Sequence, residues 1–105
     1  MNLRHDGETL DQLLGELLDD TPDVTVRGTE HSRKGVVFAA RPDANSVELR
    51  LGPDIAEAAL HTPHTVTSPR GEEWVRLSTT NWGDANDRLE AWYRVAWRLA
   101  AKQKR

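Results

Sequence analysis

Val36-Val37-Phe38-Ala39-Ala40-Arg41-Pro42-Asp43-Ala44-Asn45-Ser46-Val47-Glu48-Leu49-Arg50-Leu51 sets the frame for the whole chain. Gly35 precedes an unbroken apolar run, Val36 to Ala40, that reads as a strand buried on both faces. Arg41 to Asn45 carries turn chemistry, because proline fixes φ and Asp and Asn tolerate turn conformations. Val47, Leu49 and Leu51 then alternate with Glu48 and Arg50, the period of a strand with one apolar face. Two strands joined by a turn make a β-hairpin.

Upstream, Val24-Thr25-Val26-Arg27 alternates as a half-buried strand. Before it, Leu10, Leu13, Leu14, Leu17 and Leu18 follow the spacing of one helical face. Asp6 or Thr9 supplies a cap for that helix, and Thr21-Pro22 ends it, since the residue before proline is pushed out of the helical region. Downstream, Gly52-Pro53-Asp54 opens a short helix through Leu60 that stops near Thr62-Pro63. His64 to Thr67 and Glu73 to Leu77 read as two more strands around a Ser68-Pro69-Arg70-Gly71 turn. A loop at Thr79 to Gly83 leads to a last helix capped by Asp84. Ala85, Leu89, Trp92, Tyr93, Ala96, Leu99 and Ala100 share one face of it, and Glu90, Arg94 and Arg98 lie opposite. The expected fold is α+β, a two-layer sandwich in the order α-β-β-β-α-β-β-α, with an antiparallel sheet packed by helices.

The 105 residues leave room for a single domain, 1–105, and for one core. No cysteine is present, which excludes disulfides, thiolate catalysis and Cys-based zinc sites. The N-terminus lacks the apolar stretch of a signal peptide, and no apolar run approaches a membrane span. The expectation is a soluble, cytoplasmic protein. Net charge is −3, against a general nucleic-acid binder, but the charge is unevenly spread. Asp6, Glu8, Asp11, Glu16, Asp19, Asp20 and Asp23 crowd the first helix, whereas Arg88, Arg94, Arg98, Lys102, Lys104 and Arg105 crowd the last. The acidic helix is a candidate partner for the basic one, within one molecule or across a dimer.

Leu51-Gly52-Pro53-Asp54, followed by Ala56-Glu57-Ala58-Ala59-Leu60, Pro63-His64 and the Gly71 to Trp74-Val75 strand, resembles the TfoX N-terminal domain family. Trp92 matches a tryptophan found near the start of that family's final helix. The resemblance runs from about Val24 to Ala100; a YjbR-like domain is the second choice. It implies a secretion-chaperone-like α/β fold and a regulatory or interaction role, with no catalytic residues to carry over. Where the family has Met-Phe-Gly-Gly between its first two strands, this chain has Gly28 to Gly35 instead.

Catalytic chemistry finds no foothold in the pattern. His61-x-x-His64 is the one metal-like spacing, and two ordinary exposed histidines are the simpler reading, since a site needs further ligands. No G-x-S-x-G, P-loop or G-x-G-x-x-G occurs, and Glu72-Glu73 point to opposite sides of a strand. Hence no catalytic, metal or cofactor residues are expected and no cofactor is implied. The four tryptophans divide: Trp92 faces the core, while Trp74, Trp82 and Trp97 with Arg94 and Arg98 form the candidate contact surface. For Trp82, folding back over the core is an equal alternative. The expected function is therefore a non-catalytic interaction or regulatory domain that binds a protein partner or forms a homodimer. Two alternatives stand behind it: a nucleic-acid accessory protein acting through Arg94, Arg98, Lys102, Lys104 and Arg105, and a small-ligand binder or enzyme with a pocket between sheet and helices. The partner and the biological process are not written in the sequence.

Overall fold

The central hairpin forms as its pattern requires, and seven further elements assemble on its edges and one face. The structure, a computed structural model, describes residues 10–102, the side chain of Asp84 excepted. The candidate caps Asp6 and Thr9, and the basic residues Lys104 and Arg105, lie outside the described residues. The elements are α1 (Leu10–Asp20), β1 (Val24–Arg27), β2 (Glu30–Arg33), β3 (Val36–Asp43), β4 (Ser46–Arg50), α2 (Pro53–Ala59), β5 (Thr65–Ser68), β6 (Gly71–Ser78) and α3 (Trp82–Lys102). All six strands join one antiparallel sheet in the order β1-β2-β3-β4-β6-β5. The α+β class is as expected, with one strand more than the hydrophobic pattern discloses.

That extra strand is β2, Glu30-His31-Ser32-Arg33, which has no apolar alternation to announce it. Two tight turns create it. Gly28 (φ 58) begins the reversal from β1, which brings Arg27 opposite Glu30. Lys34 (φ 53) and Gly35 (φ 84) are both left-handed, the geometry of a type I′ hairpin, and bring Arg33 opposite Val36. Between His31 and Ser32 the register slips, so that Ala39 and Val37 face successive residues of β2 and Phe38 is the extra residue of a bulge. The bulge lets Phe38 and its neighbour Ala39 both join the core.

The helices cover one face. α3 crosses β2, β3 and β4, α1 packs on α3, and α2 packs along β6. Leu10, Leu13, Leu14 and Leu17 of α1 meet Leu89, Tyr93 and Ala96 of α3 in a core that also takes in Phe38, Val47, Leu49, Val75 and Leu77. α1 stops at Asp20, before Thr21-Pro22, and the Thr21 hydroxyl donates to the Leu17 carbonyl at 2.6 Å. Pro53 occupies the first turn of α2, where its missing N–H costs nothing.

Three expectations are corrected. β3 continues through Asp43, so the turn narrows to Ala44-Asn45, with the Asn45 N–H and Ser46 hydroxyl both donating to Asp43 Oδ1. β1 is an edge rather than a half-buried strand, and Val26 is 47 % exposed. α3 begins at Trp82, two residues before the expected cap, because the Trp82 ring is drawn into the core.

β4 holds a fourth departure. Its alternation assigns Glu48 to the polar face, yet Glu48 is only 3 % exposed. One row of cross-strand pairs runs through all six strands: Arg27, Glu30, Ala40, Glu48, Arg76, Val66. Around Glu48, Ser68 Oγ donates to Oε2 at 2.8 Å, Arg70 Nε donates to Oε1 at 3.0 Å, and Arg76 Nε stands 3.7 Å from Oε2. Arg70 also reaches Glu30 at 3.2 Å. A buried carboxylate so partnered is tolerated, but its removal leaves several donors without an acceptor. Glu48→Ala is therefore expected to cost about 2–4 kcal/mol in denaturant unfolding. Glu73→Ala, which breaks the half-exposed pair with Arg50, is expected to cost about 0.5 kcal/mol or less. Equal losses from the two variants would contradict this account.

Candidate functional site

The residues expected to form one contact surface occupy three different environments. Trp82 is 3 % exposed within the core, the alternative weighed above, so no partner reaches its ring; its indole Nε1 is buried and has no hydrogen-bond partner among the described residues. Trp74 is half-buried on the sheet, paired with Arg50, with the Arg70 guanidinium 5.2 Å from its ring centroid. Arg94 donates to Asp20 Oδ2 at 3.3 Å, so the acidic and basic helices do meet within one molecule at this point. Trp97 and Arg98 remain, and they line a common groove.

The groove follows from helix periodicity. Val95, Leu99 and Lys102 follow one another at the three- and four-residue spacing that keeps side chains neighbours along a helix, with Arg98 beside Leu99. They form one wall. Ile55 of α2, 43 % exposed, forms the other, and Arg33 of β2 closes the arrangement beside Trp97. The volume is about 500 Å³. Its lining consists of apolar side chains, Trp97 and the three cations Arg33, Arg98 and Lys102, with no carboxylate.

Trp97 is held rigidly. Its Nε1 donates to the Pro22 carbonyl at 2.9 Å. The Arg33 guanidinium lies 4.0 Å above the ring centroid, and Arg33 Nη1 donates to the Trp97 carbonyl at 3.0 Å. Cation–π stacking and a main-chain bond thus pin a strand residue to the helix, with Asp23 4.0 Å from Arg33 Nη2. Neither Arg33 nor Ile55 carries a signal in the sequence, since their meeting depends on sheet order and on where α2 sits.

A second polar feature lies under α3. His31 is buried, its Nδ1 2.8 Å from the Tyr93 hydroxyl, and the rings of Phe38 and Tyr93 meet edge-on with centroids 5.2 Å apart. Burial, then the nearby Arg41 guanidinium, lowers the His31 pKa, and burial raises that of Tyr93. Both groups are held neutral, so a single hydrogen bond joins them, its donor set by the histidine tautomer. This pair is enclosed by core side chains and braces the helix against the sheet.

His61 and His64 are both exposed in the turn between α2 and β5, and His64 adopts a left-handed φ of 62. Among the described residues no three His, Asp or Glu side chains are grouped to hold a metal ion. An acidic cleft lined by Glu16, Asp19, Asp20 and Glu90 separates α1 from α3. No described helix is long and apolar enough to cross a membrane. Comparison with known proteins gives no matching family model, no matching curated protein and no matching solved structure.

The His31 pair sets a pH dependence. A histidine whose folded pKa is depressed takes up its proton more readily when unfolded, so stability rises with pH across the interval between the two values. The contribution is complete above the ordinary histidine value of 6.5 and declines as pH falls below it toward the folded value. Asp43, whose carboxyl pKa is lowered mainly by the Ser46 hydroxyl, acts in the same sense but only below the ordinary aspartate value of 3.8. Unfolding free energy measured from pH 8 down to about pH 5 should therefore fall in the native protein and stay flatter in His31→Gln. Parallel curves would show that His31 is not the group responsible.

Proposed function

We propose that this protein is a non-catalytic interaction domain that binds a protein partner along the C-terminal half of α3. One observation supports the reading above the others: a tethered tryptophan, an exposed isoleucine of α2 and half-buried apolar side chains of α3 converge in one groove. Aromatic anchors fixed before binding lose little entropy when a partner docks, which is why they dominate interface energetics. The convergent acid, base and nucleophile of a catalytic centre have no counterpart around this groove, whose polar groups are all permanent cations or a tethered indole. The resemblance to the TfoX N-terminal family, with its implied regulatory role, is compatible with this function.

The nucleic-acid alternative draws on fewer groups than the sequence suggests. Arg94 is paired with Asp20, and Arg88 donates to the Pro63 carbonyl at 2.6 Å. Phosphate binding gains affinity with each cation that is available to replace a counterion, and this helix spends two of its cations internally.

The test compares three immobilised forms of the chain: wild type, Ile55→Asp in the groove, and Val66→Asp at an exposed site on β5. The expected result is a protein retained from extract by wild type and Val66→Asp in about 0.5 M salt, and weakened about tenfold or more by Ile55→Asp. Retention of nucleic acid that is released by that salt would favour the alternative. Light scattering on the purified forms distinguishes an external partner from a second copy: a wild-type dimer that Ile55→Asp converts to monomer means self-association.

A further inference from the structure

Resting on that reading of the groove, we infer that its occupant is an acidic amphipathic segment of a partner protein: two or three apolar side chains flanked by carboxylates. The argument begins with the charge of the lining. The chain as a whole is acidic, with a net charge of −3, yet the groove lining contains no acidic side chain and presents Arg98 and Lys102 as exposed cations, while Arg33 is already committed to Trp97 and Asp23. Arg98 and Lys102 of α3 share the lining with the apolar side chains of Ile55, Val95 and Leu99.

Cations in a helix's last turn offset the helix dipole, and that role alone would account for Lys102. It does not account for Arg98, an exposed cation four residues earlier, nor for Ile55, an exposed isoleucine that lines the same space. An apolar floor attracts apolar side chains, and a rim of one sign selects the opposite sign in the flanking residues. A basic or phosphate-like ligand satisfies only half of this. A cation is repelled by the rim, and a bare anion leaves Ile55, Val95 and Leu99 in water. The dimension fits a short segment as well, since Val95 to Lys102 covers about two helical turns, ~10 Å.

A random peptide library panned on the full-length chain, with counter-selection on Ile55→Asp, tests the inference. Enrichment of sequences with apolar residues flanked by Asp or Glu is the expected result. A synthetic peptide of that kind should bind the Arg98→Glu, Lys102→Glu double variant about tenfold or more weakly than wild type. The same peptide with Lys in place of its acids should recover affinity for the double variant. Ile55, Arg98 and Lys102 are exposed, so circular dichroism should show all variants folded. Neutral or basic sequences enriched in the acidic ones' place, or acidic peptides indifferent to the charge reversal, overturn the inference while leaving the groove an interaction site. If no peptide distinguishes wild type from Ile55→Asp, the interaction reading fails along with it.

Discussion

One carboxylate, buried in the middle of the sheet, constrains everything on the face away from the helices. Glu48 sits on β4, with β3 on one side and β6 on the other. An unpaired charge in that position would be excluded by its desolvation cost. The fold answers with Ser68 at the end of β5, Arg70 in the turn after it and Arg76 on β6. These groups reach Glu48 only if the β5–β6 hairpin pairs with β4 in its observed register, so the interaction favours that register over its neighbours. Arg70 extends the same network to Glu30 and so joins the two halves of the sheet across β3 and β4. A face that is polar in composition is therefore structured as closely as a core.

On the opposite face the organising device is geometric. The extra residue in β3 turns Phe38 toward Tyr93, while His31 fills the adjoining place on β2 and hydrogen-bonds the same phenol. A polar pair inside a small core costs little when each member satisfies the other, and it fixes the rotation of α3 relative to the sheet. Trp97 provides a second fixed point nearer the C-terminus through Pro22 and Arg33. Between these two anchors, α3 cannot roll without breaking hydrogen bonds at both, which makes the groove beside its last turns a rigid surface.

The helices, the central hairpin and the β5–β6 turn were legible because each rests on local physics. Leucine spacing marks α1, proline at the first turn marks α2, and Ser68-Pro69-Arg70-Gly71 closes its hairpin in two residues as its composition implies. β2 was hidden for a local reason as well: Glu-His-Ser-Arg has no apolar rhythm, and Lys34 is not a residue that advertises a left-handed turn. The burial of Glu48 was hidden for a tertiary reason. Alternation places it correctly on the polar face but is silent about Arg70, 22 residues away, closing over it. The groove divides likewise. Trp97 and Arg98 are visible as the margin of a helical face, whereas Arg33 and Ile55 join them through strand order and the seat of α2.

The distribution of charge bears on readings that composition leaves level. A cluster of arginines on the last helix suggests a polyanion, but α1 and the turn before β5 claim part of it. Asp20 holds Arg94, and Arg33, from outside the helix, is applied to Trp97 as a stacked cap rather than presented as an open positive field. What faces outward at the end of α3 is a mixture: apolar side chains at the centre and cations at the rim. Bare phosphate backbones reward an array of cations and make little use of an isoleucine. A folded or folding polypeptide segment can use both, burying its apolar residues for affinity and matching the rim for selectivity. On the proposed reading, a partner for this groove must meet two chemistries at once, which is the reason for proposing a protein rather than a nucleic acid at this end of the molecule.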